Sequence, residues 1–115
     1  MEIVTYQIKN MLWIRVPEEL DQCTADIIRR KCDIIFMDQK RKHVVFDFSR
    51  TLFMDSAGIG MIFGRYRQLS IRGGLIFAYK PGKRIIHLME IAGLMRYVNI
   101  CDREEQIYTR LEEVQ

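Results

Sequence analysis

Residues 43–66 read HVVFDFSRTLFMDSAGIGMIFGRY. The hydrophobic period changes inside this stretch, and that change decides the fold. His43 to Phe48 is a short, apolar, β-branched run, the pattern of a central strand buried on both faces. Ser49 to Met54 reads as a connection. From Ser56 onward Ile59, Ile62, Phe63, Tyr66 and Leu69 recur at helical spacing. This predicts a helix from Ser56 to about Arg72, stopped by Gly73-Gly74.

The flanking sequence extends the same alternation. Upstream, Val4, Tyr6 and Ile8 alternate with Thr5 and Gln7, and Leu12, Ile14 and Val16 alternate with Trp13 and Arg15. The period of two predicts a hairpin turning at Lys9-Asn10, where asparagine tolerates positive φ. Pro17 ends the second strand. Asp21 is a plausible N-cap, and Ile28, Cys32, Ile35 and Phe36 mark one face of a helix ending near Gln39. Downstream, Leu75 to Tyr79 is a second buried strand. Pro81 suits the first turn of a helix that runs to about Ala92 and ends at Gly93. Tyr97 to Ile100 is a short last strand. Asp102 with Glu105 resembles a capping box for a closing helix lined by Ile107, Leu111 and Val114. Strands alternating with helices imply parallel pairing with right-handed crossovers. The predicted class is α/β, with one sheet that begins in a hairpin.

Composition narrows the functional classes. A chain of 115 residues, 49% hydrophobic and 29% charged, has the balance of an ordinary globular protein and supports a core without staples, so 1–115 reads as one domain. The net charge of +3 is dispersed, and its densest run is Lys40-Arg41-Lys42. A nucleic-acid surface needs a broader basic face, so no direct nucleic-acid binding is expected. The three cysteines, Cys23, Cys32 and Cys101, are odd in number and lack CxxC spacing, which fits free thiols in a reducing cytosol. Cys32 is expected in the core. The N-terminus reads as a strand rather than a signal peptide. No apolar run approaches the ~20 residues that span a bilayer. The expectation is a cytoplasmic protein with no membrane association.

Chemistry concentrates at Asp55-Ser56-Ala57-Gly58-Ile59-Gly60. A helix start carries N–H groups without intrahelical partners and the positive end of the macrodipole, so a phosphate on Ser56 would meet donors already in place. Gly58 and Gly60 each cost ~1 kcal/mol relative to alanine inside a helix, and close approach of another backbone or of a partner surface would account for them. Residue types alone leave a plainer alternative open: Asp55 or Ser56 serves only as an N-cap, and the glycines only allow helix-on-sheet packing. Caps are far commoner than modification sites. A nucleotide-binding loop is disfavoured because the P-loop lysine is missing. His43 and His87 have no neighbours at catalytic spacing, and no metal-ligand or carboxylate cluster is present, so neither an enzyme nor a metal or cofactor site is expected.

Met54-Asp55-Ser56-Ala57-Gly58-Ile59-Gly60 with Gly64-Arg65-Tyr66 closely resembles the signature of the bacterial anti-sigma-factor antagonists, the STAS-domain proteins. Glu19-Leu20-Asp21 with Thr24-Ala25, Lys83-Arg84, and Ala92-Gly93-Leu94 extend the resemblance along nearly the whole chain. The resemblance implies a mixed sheet of four to five strands, an N-terminal hairpin plus parallel strands, with about four helices packed mainly on one side. It also implies a partner switch rather than catalysis, closest to the sporulation antagonists. The unmodified protein binds an anti-sigma factor that is itself a serine kinase, and so releases a sigma factor. The kinase phosphorylates the antagonist, and a phosphatase restores it. Carried onto this chain, Ser56 is the phospho-acceptor, with Asp21, Thr24, Asp55, Ala57, Gly58, Ile59 and Gly60 on the binding face. The alternatives are a STAS-type module in another signalling complex and a small-ligand-binding domain. Two departures stand out. Ala57 replaces a second hydroxyl, leaving Ser56 alone in the turn. Glu18 stands where the family usually has glycine, and a glutamate tolerates positive φ badly.

Overall fold

The computed structural model describes residues 2–114. The chain forms β1 (Thr5–Ile8), β2 (Met11–Arg15), β3 (Glu19–Leu20), α1 (Gln22–Ile35), β4 (His43–Asp47), β5 (Phe53–Met54), α2 (Ser56–Ser70), β6 (Ile76–Tyr79), α3 (Lys83–Ile91), β7 (Asn99–Cys101) and α4 (Glu104–Glu113). Five strands make one mixed sheet in the order β1-β2-β4-β6-β7, and β3 and β5 pair separately. β1 runs antiparallel to β2, and every other pairing is parallel.

The expected α/β class and five-stranded mixed sheet are present, with β4 at the centre. Two cores flank the sheet. On one face Leu12, Ile14, Val44, Phe46, Ile76 and Ala78 pack under α1, α2 and α3 through Ile28, Cys32, Ile62, Leu69, Ile85 and Met89. On the other face Met11, Trp13, Val45 and Phe77 pack under α4 through Ile107 and Leu111. Trp13 therefore belongs to a second core and is only 2% exposed, although strand alternation set it opposite the core residues Leu12 and Ile14. A period-two reading assumes one wet face, and α4 removes it.

Local corrections follow from backbone chemistry. Positive φ in the hairpin turn falls on Lys9 (φ 55), not on Asn10. α1 stops at Ile35, and a 3-10 turn, Phe36–Asp38, carries the chain to a left-handed Gln39. α2 ends at Ser70, two residues before the expected Arg72. Pro81 lies just before the N-cap Gly82 rather than inside the first turn. Gly93 ends the α3 segment at φ 76, a conformation glycine adopts without Cβ strain. The last strand is Asn99–Cys101, shifted by up to two residues from the expected Tyr97 to Ile100. At α4 the side chain that reaches back is Gln106, not Glu105: its Oε1 accepts from the N–H groups of Asp102 (2.8 Å) and Arg103 (3.2 Å). Glu18 is not among the residues with positive φ, so its replacement of glycine costs no left-handed strain.

Cys32 and Cys101 are buried, and burial pushes their thiols up to about 12 and about 11, respectively; Cys23 is exposed. A disulfide-exchange reagent is accordingly expected to titrate one thiol in the native protein and all three after denaturation. His43 is buried at the start of β4, where Nδ1 accepts the Leu75 N–H at 2.9 Å. Burial, with Lys42 adding charge repulsion, lowers its pKa to about 4. Below the free-histidine pKa the unfolded chain takes up a proton that the folded chain refuses. Stability is therefore complete above about pH 6.5 and falls as the pH drops toward 4. Denaturant melts should show a loss of about 2 kcal/mol between pH 7 and pH 5, which His43→Gln removes.

Candidate functional site: two helix starts held side by side

β3 and β5 pair for two residues each, Glu19 opposite Phe53 and Leu20 opposite Met54. The Glu18 carbonyl accepts from the N–H groups of Leu52 (2.8 Å) and Phe53 (3.0 Å), and the Leu20 carbonyl accepts from Asp55 N–H (3.2 Å). The next residue on each strand is an aspartate that caps a helix. Asp21, with φ −101 and ψ −172, caps α1, and Asp55, with φ −104 and ψ −173, caps α2. The two caps are near-copies in backbone geometry. Asp21 Oδ1 accepts from Thr24 N–H at 3.0 Å. Asp55 Oδ1 accepts from Ala57 N–H at 2.9 Å and Gly58 N–H at 3.2 Å. The bond from Thr24 N–H, reinforced by the Thr24 hydroxyl, holds the Asp21 carboxyl below the usual carboxylate range.

Ser56 is the first residue of α2 and is exposed. Its side chain therefore stands in solvent at the positive end of a 15-residue helix, while Asp55 satisfies two of the first N–H groups. Asp55, not Ser56, is the N-cap, so the serine hydroxyl is not needed to finish the helix.

Gly58 has a steric reason to lack a side chain. A Cβ there would lie 2.7 Å from Leu20 Cγ, 2.8 Å from Met54 Cγ and 2.9 Å from the Leu20 carbonyl oxygen. The glycine thus lets the first turn of α2 sit on the β3–β5 pair. Gly60 differs: nothing lies within 4 Å of the place its Cβ would take, and it is exposed. Packing within the chain does not require it.

The residues singled out from the sequence divide by depth. Asp21, Asp55, Ser56, Ala57 and Gly60 reach the surface around the two helix starts, whereas Thr24 and Gly58 are buried beneath it and position the others. Ile59 is half-buried and packs on the core. Between α1 and α2 runs an open groove of about 210 Å³, with Gln22, Ala25, Asp26 and Arg29 on one wall and Ala57, Gly60 and Gly64 on the other. Arg65 lies at its base, 6% exposed, with Nη1 donating to the Arg29 carbonyl (3.4 Å) and Nη2 4.0 Å from Asp33. Sequence reading missed Leu52 and Phe53, which are 65% and 39% exposed and are separated from the capping aspartate only by buried Met54. The Arg84 guanidinium sits 5.9 Å from the Phe53 ring centre. Two adjacent apolar residues inside a connection were the available signal. Among the described residues no group of three His, Cys, Asp or Glu could hold a metal ion, and no helix is long and apolar enough to cross a membrane.

The fold is shared. Residues 2–107 match the STAS domain, and the chain belongs to that family. An anti-sigma F factor antagonist of Paenibacillus polymyxa is 31% identical over 92% of this chain and 91% of its own length, and the anti-sigma-B factor antagonist of Bacillus subtilis is 23% identical over 86% and 89%. Among solved structures, the anti-sigma factor antagonist SpoIIAA in its unphosphorylated form superimposes with a TM-score of 0.85 at 24% identity, covering 97% of both chains. The phosphorylated form of the Bacillus cell-fate determinant SpoIIAA gives 0.77 at 24% identity, covering 96% of this chain and 99% of that one.

The two glycines should separate experimentally. Gly58→Ala is expected to cost about 1–3 kcal/mol in chemical denaturation, because the new methyl meets backbone and packed side chains. Gly60→Ala should leave stability unchanged or raise it by up to ~1 kcal/mol, since the helix gains a better former in open space.

Proposed function

We propose that this protein is an anti-sigma factor antagonist whose partner binding is switched by phosphorylation of Ser56. The observation that carries the reading is the placement of Ser56: an exposed hydroxyl at the first position of α2, beside a cap that already closes the helix. The names borne by the relatives, at 31% identity over nearly the full chain, support the same class. In this reading the unphosphorylated protein binds an anti-sigma factor serine kinase, and the sigma factor is released. The kinase transfers a phosphoryl group to Ser56, and a phosphoserine phosphatase reverses it. The site works in the cytoplasm as a substrate for another protein's chemistry and performs none of its own.

The electrostatics explain how one modification acts on binding and not on folding. A phosphoserine carries about −1.5 to −2 charges at neutral pH. At a helix start that charge meets the positive end of the macrodipole, so the fold tolerates it. The solved forms of SpoIIAA, one unphosphorylated and one phosphorylated, share this fold, which agrees with a modification that leaves the fold standing. A partner surface fitted to a neutral hydroxyl next to the paired caps Asp21 and Asp55 meets a different situation. It would have to desolvate the new charge beside two carboxylates, at a cost of several kcal/mol. Exposed Gly60 and the open groove beside it leave room for close approach of a partner backbone, and Leu52 and Phe53 supply apolar contact at the rim.

Incubation with the cognate kinase and ATP should add one phosphate, mapped to Ser56, and Ser56→Ala should add none while still binding the kinase. Phosphorylation should weaken kinase binding by roughly 100-fold or more, measured by titration calorimetry. Phosphate on Ser56→Ala would remove Ser56 from its proposed role. Gly60→Trp should weaken binding while melting like the wild type.

A further inference from the structure

We propose that β1 is a self-association edge, at which two copies of this chain join antiparallel about a two-fold axis passing beside Tyr6. The hydrogen-bond phase of the hairpin comes first. Ile8 pairs with Met11 and Tyr6 with Trp13, and the Arg15 N–H donates to the Val4 carbonyl at 2.9 Å. Antiparallel pairs alternate between bonded and non-bonded, so Val4, Tyr6 and Ile8 spend their backbone groups on β2. The N–H and C=O groups of Thr5 and Gln7 therefore point away from the sheet, along its free edge.

Two of the devices that blunt such an edge, proline and charge, are missing from β1. Thr5-Tyr6-Gln7-Ile8 contains no proline and no charge, and charge or proline is what normally protects an edge strand. The opposite edge is different. β7 is only three residues long, and the Asn99 side chain is engaged from both sides, donating to the Ile76 carbonyl at 3.1 Å and accepting from Arg110 Nε of α4 at 3.3 Å.

The occupant follows from the pattern of β1 itself. With Tyr6 opposite Tyr6 of the second copy, Thr5 falls opposite Gln7 and Gln7 opposite Thr5. The two outward-pointing residues of each strand are then bonded pairs, with four new N–H···O=C bonds. In the same register Val4 stands opposite Ile8 of the second copy, on the face shared with Tyr6. Val4 is 48% exposed and Tyr6 39%. The ladder would place these apolar side chains against one another, with the two Tyr6 rings as a central cross-strand pair. A strand whose exposed hydrogen bonds and apolar row complement themselves about one axis fits a second copy of itself. None of these residues belongs to the Ser56 site, so the inference stands apart from the function proposed above.

Sedimentation of the full chain should show a mass rising with concentration from 13.7 kDa toward about twice that value. Gln7→Pro removes one outward N–H without touching the pairing to β2, and should hold the protein monomeric at the same concentrations with an unchanged melting temperature. The register is tested by oxidative cross-linking in a Cys23→Ser background. Tyr6→Cys sits at a non-bonded pair with Cα atoms about 4.5 Å apart, within disulfide reach, and should cross-link to a dimer. Thr5→Cys lies diagonally from its counterpart, at roughly 7–8 Å, and should not. A monomer at every concentration up to millimolar, equal cross-linking of both variants, or a dimer that survives Gln7→Pro would overturn the proposal. Should the proline variant fail to fold, the cysteine pair still decides.

Discussion

Leu20 accepts a hydrogen bond from Asp55, and with it the starts of α1 and α2 are locked together. The ladder behind this bond is two residues long on each side, yet the site depends on it. It aligns Asp21 with Asp55, so that two helix starts, each capped by an aspartate, present their open ends side by side. It also sets the depth of Gly58, whose missing Cβ leaves room for Leu20 and Met54. A longer side chain there would lift the first turn of α2 off the strands and displace Ser56.

The rest of the molecule holds that ladder rigid. β2 leads into β3 and β4 leads toward β5, and both parent strands are buried between two cores. Thr51 stitches the second connection back to the first, its hydroxyl donating to the Val16 carbonyl at 3.1 Å within the buried interior. The connection from β4 to α2 therefore runs over fixed ground, although residues 49–52 lie in no strand or helix. In the proposed function, a phosphate on Ser56 would change the charge on such a frame without relaxing the backbone beneath it. That separation between a rigid scaffold and an exposed hydroxyl is what a charge-operated switch needs.

The division of labour among the glycines and threonines shows how much of the site was legible in the chain. Asp55 was named as one of two candidate caps; the bonds to Ala57 and Gly58 assign the cap to Asp55 and leave the hydroxyl of Ser56 outside it. Gly58 and Gly60 look alike in sequence, two residues apart in one helix. The positions of Leu20, far away along the chain, and of Met54 make one a packing requirement and leave the other facing solvent. Thr24, read as part of a binding face, is buried against the cap it serves. Leu52 and Phe53 escaped notice because exposure of an apolar pair in a connection has no local signature.

The sequence by itself determined the α/β class, the hairpin start, the order of helices and strands and the place of the serine. Each follows from a period or a cap carried by neighbouring residues. Tertiary structure alone decided the rest: the second core that buries Trp13 under α4, the β3–β5 ladder, and the free edge of β1. A two-residue strand has no period to read, and a sheet face is wet or dry according to a helix that arrives from elsewhere in the chain. The two starts of α1 and α2 lie some 34 residues apart in sequence, and only the parallel pairing of their approach strands makes them one site.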